Sequence, residues 1–187
     1  MRRIASVVGG LFLLVAASAI PVAADTTGGG NQLNSFSSSC SGTVCTDTNV
    51  FAFLDPFGPA TACIDYTTYD QGNFVSDESG CATASSFTIT SSLAATLGPT
   101  SIALTLCDVN TCAASRTVTV SASDTPTGPI STTITKTATK DGLCTTRIRS
   151  TDQFVNVAGT YTVDGTATAE TGFVSTHHET FKTTCRF

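Results

Sequence analysis

The chain has 187 residues, eight cysteines, no tryptophan, nine Lys/Arg and fourteen Asp/Glu, a formal net charge of −5. No Lys/Arg cluster stands out along it, which makes nucleic acid and anionic membrane surfaces poor expected partners, since both require concentrated positive charge. The length suits a single domain.

Arg2 and Arg3 precede an apolar run containing Leu11, Phe12, Leu13, Leu14 and Val15, which closes on Pro21-Val22-Ala23-Ala24. A positive start, a short apolar run and small residues before a cut predict a cleaved signal peptide over 1–24. The run is short and glycine-interrupted for a bilayer span, so no membrane span is expected in the mature chain. Cleavage after Ala24 removes two arginines and leaves seven basic against fourteen acidic residues, a net charge of −7. The expected location is extracellular, by the general secretion route. A signal peptide followed by a Thr/Ser-rich, cysteine-stapled β domain resembles the style of many exported bacterial proteins, and that resemblance carries no function.

Residues 25–39, "DTTGGGNQLNSFSSS", read as a flexible Gly/Ser/Thr-rich leader. Residues 40–187 read as one all-β domain. Runs rich in Val, Ile, Thr, Phe and Tyr predict strands near 43–54, 60–69, 85–93, 100–107, 112–123, 129–139, 143–150, 153–157, 160–170 and 173–186. Breakers separate several of them: Asp55-Pro56-Phe57-Gly58-Pro59, Gly98-Pro99, Asp124 to Pro129, and Asp141-Gly142, the last a strong hairpin signal. Many short strands with regular turns predict an antiparallel β-sandwich or barrel.

All eight cysteines lie after the predicted cut. An even count in an exported chain predicts a disulfide framework, and the absence of Cys-x-x-Cys argues against both a metal knuckle and a redox pair. Sequence-adjacent pairing gives Cys40–Cys45, Cys63–Cys81, Cys107–Cys112 and Cys144–Cys185. The stretch "LCDVNTCAASRTVTVSAS" (106–123) adds a geometric demand. If Cys107 faces Cys112 across a hairpin, Ile102 and Leu104 share a face with Ser115 and Thr117, while Val118 and Val120 point the other way. A one-residue slip flips every side chain, so a β-bulge within Ala113-Ala114-Ser115, or a longer irregular loop, is predicted to return Val118 and Val120 to the core.

No Gly-x-Ser-x-Gly elbow, His-Glu-x-x-His or phosphate-binding glycine loop occurs. The two histidines, His177 and His178, are neighbours on a predicted strand and point to opposite faces; His177 shares its face with Phe173, Glu179 and Phe181. The stretch 63–81 carries Asp65, Asp70, Asp77 and Glu78 with Tyr66 and Tyr69, but no calcium-loop order, and reads as solvated loop acids. No catalytic residue, metal site or cofactor is assigned. The leading expectation is a secreted, non-catalytic domain that binds a protein or cell-surface ligand through loops, with Asp108, Val109, Asn110 and Thr111 as the candidate binding loop. The alternatives are a secreted hydrolase with a dispersed acidic or His-containing site, and an inhibitor or toxin-like protein presenting that disulfide-held loop.

Overall fold

The structure is a computed structural model that describes residues 27–28, 30–54 and 58–186. The expected signal peptide lies outside the described residues. Eleven strands are present: β1 (Thr27–Gly28), β2 (Asn31–Ser41), β3 (Val44–Leu54), β4 (Thr61–Asp70), β5 (Asn73–Thr83), β6 (Phe87–Ile89), β7 (Ala95–Cys107), β8 (Cys112–Pro126), β9 (Ser131–Asp141), β10 (Cys144–Val163) and β11 (Thr166–Cys185). All pairings are antiparallel. The order β11-β2-β3-β4-β5-β7-β8-β10 closes on itself because β10 also pairs with β11. The all-β architecture expected from the sequence is therefore a closed eight-stranded barrel. Closure gives each of these eight strands a partner on both sides over part of its length.

Period-two alternation fills the interior. Ile102 and Leu104 of β7, Val118 and Val120 of β8, and Val155 and Val157 of β10 are all buried. Between them Ser101, Thr117 and Thr119 are exposed on the outer face. Apolar inside and Ser/Thr outside is the reverse of the arrangement lipid requires of a barrel.

The β7–β8 register carries the demanded bulge. Cys107 faces Cys112 and Thr105 faces Ala114, but Ala103 faces Thr117, so Ser115 and Arg116 together oppose Leu104. The extra residue sits at Ser115–Arg116, at the C-terminal limit of the predicted window. It brings Val118 opposite Ile102 and both into the core.

Several sequence expectations need correction. Residues 31–39 of the expected leader lie in β2, where Leu33 and Ser35 are fully buried and the intervening residues face outward. The stretch 63–81 is a hairpin of β4 and β5 rather than an acidic loop; its Gln71–Gly72 turn has φ of 50° and 81°. The predicted strand 160–170 is cut by a second such turn at Asp164–Gly165, with φ of 48° and 84°. Positive φ at both central residues is the hairpin turn whose twist suits antiparallel strands. The expected strands 143–150 and 153–157 are one continuous strand, β10, and the expected 85–93 contracts to β6.

Bridges join Cys40–Cys45, Cys63–Cys81, Cys107–Cys112 and Cys144–Cys185, and no free cysteine remains among the described residues. Four bridges fit an oxidising compartment. No helix in the described residues is long and apolar enough to cross a membrane.

Two departures from a simple barrel set where the exposed clefts and charged surfaces lie. The seam between β2 and β11 pairs only from Asn31↔Thr176 to Phe36↔Thr171, so the strands part beyond Phe36. At the other end β10 and β11 outrun the barrel. Val157–Val163 of β10 pair with β8, whereas Cys144–Phe154 pair with β9, forming a three-stranded extension.

Glycine sets the tightest corner. A Cβ at Gly159 would lie 2.0 Å from the Ser123 carbonyl oxygen and 2.7 Å from Asp124 Oδ1. Because backbone cannot retreat from a methyl group as a flexible side chain can, Gly159→Ala is expected to destabilise by about 2–3 kcal/mol. Chemical denaturation checks this; an unchanged midpoint would show that the corner has room to relax.

Candidate functional site

The sequence-selected loop is held from within. Asp108 Oδ1 accepts from the Asn110 and Thr111 amides, both at 2.7 Å, and the Cys107–Cys112 bridge closes the base. Those two backbone donors hold the Asp108 carboxyl below its ordinary range. Val109 is 72% exposed at the tip. The loop is thus a small, ordered projection with one apolar side chain.

The acids of 63–81 divide between the two faces of the barrel wall. Asp65 and Asp77 point outward, with Thr67 Oγ1 donating to Asp65 at 3.1 Å and Ser79 Oγ to Asp77 at 2.8 Å. Burial and the neighbouring Asp77 push Asp65 up to about 6. Asp70 accepts from Thr43 Oγ1 at 2.6 Å. Glu78 points inward, bonded to Ser115 and paired with Arg116 at 2.9 Å. Burial opposes its charge, but the Arg116 and Ser115 donors outweigh it and lower its pKa. Arg116 also lies 5.5 Å from the Tyr66 ring centroid, and Tyr66 is pushed up to about 12, mainly by burial. Tyr69 instead packs edge-on against Phe74. The two tyrosines belong to different environments and form no shared stacking surface.

His177 does gain partners. The β10–β11 register sets it opposite Asp152, and alternation puts Glu179 and Ser150 on the same face. His177 Nδ1 lies 2.5 Å from Asp152 Oδ1, Nε2 lies 3.3 Å from Glu179 Oε1, and Ser150 Oγ donates to Glu179 at 3.0 Å. The Asp152 hydrogen bond is the main cause of a raised His177 pKa. A carboxylate at each ring nitrogen favours the protonated imidazole, and each nitrogen faces a carboxylate rather than a hydroxyl nucleophile. In a serine triad, Nε2 must face the serine hydroxyl; here it faces Glu179. Among the described residues no group of three or more His, Cys, Asp or Glu is arranged to hold a metal ion. Asp152→Asn is expected to lower the His177 pKa, read from its imidazole resonances in an NMR titration; an unmoved pKa would mean that Glu179 alone holds the proton.

Asp152 and His177 border a cleft of about 580 Å³ where the extension leaves the barrel. Phe53, Phe154, Gln32 and Ser175 share its wall. Phe53 and Phe154 are 41% and 43% exposed, and Phe154 stacks on Phe173 at 5.3 Å between centroids. Exposed aromatic surface beside a fixed ion pair in a concavity is the usual composition of a small-ligand site.

Sequence reasoning missed a second cluster altogether. Asp124 is 1% exposed and Glu170 4%, both inside the barrel beside fully buried Ser35. Ser35 Oγ donates to Asp124 Oδ2 at 3.3 Å, and Tyr161 Oη and Ser37 Oγ bond at 2.9 Å nearer the open seam. As two carboxylates, Asp124 Oδ1 and both Glu170 oxygens have no donor. A proton on Glu170, shared with Asp124, supplies one. Burial, with the Asp124 charge second, pushes Glu170 up to about 8, and burial also raises Asp124. Glu170 borders a hollow of about 310 Å³ at the seam with Phe36 and Ser37. The signal was present in the alternation: Val118, Val120 and Ala122 are inward, so the next inward position on β8 is Asp124.

Asp124 and Glu170 resemble the paired carboxyls of acid–base sites in their displaced pKa values. The hollow beside Glu170 is smaller than the His177 cleft, and the hydroxyls that accompany the pair are those of buried Ser35 and, toward the seam, Ser37 and Tyr161, which bond each other. No family model matches the chain, and no curated protein matches it.

Proposed function

We propose that the mature chain is an exported, non-catalytic binding domain whose ligand sits in the cleft between Phe53, Phe154 and the Asp152–His177 pair. The observation that carries this reading is the pair of exposed phenylalanines walling a concavity of about 580 Å³ beside Asp152 and His177. Leaving such aromatic area in water is unfavourable, and covering it is a ready source of affinity. His177 and the carboxylates of Asp152 and Glu179 would orient a ligand bearing an apolar body and a polar group. The stapled barrel supplies a rigid frame, so little ordering entropy is lost on binding.

A fragment library screened by amide NMR shifts on the labelled protein tests it. Hits should shift residues around Gln32, Phe53, Phe154 and Ser175, and Phe154→Ser should weaken them at least tenfold. Shifts confined to other surfaces would reject the cleft. Turnover of any fragment, abolished by Asp152→Asn or Glu170→Gln, would replace the reading with the hydrolase one. Val109, held out by an internally bonded loop, supports a second reading in which a partner protein grips the 108–111 tip; shifts there on adding culture medium proteins, lost in Val109→Ser, would favour it.

A further inference from the structure

On β10 and β11, the side that faces the core within the barrel turns basic once the strands leave it. Val155 and Val157 are buried on that side of β10; the same side continues through Gln153 and Thr151 to Arg149 and Arg147. Residues directly opposed in an antiparallel pair share a face. Arg149 is opposed by Lys136 of β9, Arg147 by Lys182 of β11, and Thr145 by Lys140 of β9. Five cations, all exposed, therefore occupy one face of a three-stranded sheet, and alternation adds Arg186 at its end. No Asp or Glu of β9, of Cys144–Phe154 or of Thr176–Cys185 falls on that face; Asp141, Asp152 and Glu179 all lie on the opposite one. Among the described residues none of these cations makes an ion pair. Two shallow hollows of about 430 and 420 Å³ run along the face and share Arg147.

We infer that this face docks an extended acidic polysaccharide, carboxylated or sulfated. Edge protection explains only part of the charge. Lysines on a free edge strand block unwanted pairing, which accounts for Lys136 and Lys140 on β9. Lys182 lies on β11, the other outer strand there, but Arg147 and Arg149 lie on β10, flanked by strands on both sides. Arg147 and Arg149 are roughly 6.6–6.8 Å apart along β10, Lys136 and Lys140 about 13 Å apart along β9, and neighbouring strands about 4.8 Å apart, a regular array suited to a polymer with repeated anionic groups. Thr145, Thr180 and Thr184 place hydroxyls between the cations. The face has no Phe, Tyr or Trp, so single-stranded nucleic acid has no stacking platform. It is three strands wide, whereas a duplex major groove admits a helix or a two-stranded ribbon. Its large apolar side chains are Ile134 and, in the turn at its end, Leu143, two separate residues rather than the continuous apolar face of a membrane-inserting element. The rest of the mature chain is strongly acidic, which confines polyanion binding to this face.

The test uses the full mature protein with heparin and alginate as probes. Neutral dextran, duplex DNA and anionic phosphatidylglycerol vesicles serve as competitors. Heparin and alginate should bind, weakening steeply with salt. The double variants Arg147→Gln/Arg149→Gln and Lys136→Gln/Lys140→Gln should each weaken binding at least tenfold; having two keeps the test valid if one misfolds. A control, Thr96→Glu/Ser101→Glu, makes the same change in net charge on the outer face of β7 and should stay within threefold of wild type. Equal loss in the control would show a net-charge effect and overturn the site. Preference for DNA or for vesicles would overturn the polysaccharide assignment, and no binding to heparin or alginate at low salt would overturn the surface.

Discussion

Replacing Glu170 by glutamine should raise the melting temperature at pH 8–9 and leave it nearly unchanged below pH 5. Glu170 is 4% exposed and its carboxyl is pushed from 4.5 to about 8, chiefly by burial. A carboxyl whose pKa is higher in the folded state keeps its proton preferentially when folded. Its contribution is complete below the unfolded pKa and is lost as pH rises from about 4.5 to about 8. Asp124 is raised as well, so the pair acts in one direction. Glutamine cannot ionise, and its amide still donates to Asp124. The gain at high pH is on the order of 3 kcal/mol, after allowing for relaxation around the ionised pair. Other groups also titrate: Asp65 and His177 are raised, whereas Glu78 and Asp108 are lowered and contribute stability that is lost toward acid. The difference between variant and wild type at each pH isolates Glu170 from them. Parallel curves for the two proteins from pH 4 to 9 would show that Glu170 has no displaced pKa.

What the sequence revealed and concealed follows from the range of the interactions. The β7–β8 hairpin was legible, bulge included, because Cys107–Cys112 and the alternation of Val118 and Val120 are local constraints. Strand β2 was hidden because its inward residues include Ser35, and "NSFSSS" carries the composition of a mobile segment. Strand β5 was hidden because acids occupy both of its faces, Asp77 outward and Glu78 bonded to Arg116 inward. Asp164–Gly165 is a hairpin signal of the same kind as Asp141–Gly142, yet it fell inside a continuous Thr/Val pattern. Asp124 resembled the start of a turn, although the phase of the preceding valines carries the strand through it to Pro126. The site features were the least legible because each joins distant positions. Asp124 meets Glu170 across the barrel interior, Asp152 meets His177 across a hairpin, and Lys136 reaches the face of Lys182 through β10. Pairwise register, invisible in one sequence, makes these neighbours.

Serine replacement of both Cys144 and Cys185 should cost more stability than the same change at Cys107 and Cys112. In the chain-entropy account, cross-linking positions 41 apart restricts the unfolded chain by about 4 kcal/mol, against about 2 kcal/mol for positions 5 apart. For a domain of this size that corresponds to a drop of roughly 8–16 °C against roughly 4–8 °C. Location opposes ring length. Cys144–Cys185 is the outermost rung of the extension, while the core lies in the barrel. If extension and barrel unfold as one unit, the full difference appears in the melting temperature. If the extension opens first, the barrel keeps its melting temperature, and amide exchange accelerates only near Cys144–Ser150 and Glu179–Cys185. Exchange read alongside the melt separates the two cases. A Cys107/Cys112 variant that melts lower than the Cys144/Cys185 variant, with no faster exchange in the extension of the latter, would contradict the ring-length argument. It would also place the stapled 108–111 hairpin at the centre of barrel stability, since the bulge that returns Val118 and Val120 to the core lies immediately beyond that bridge.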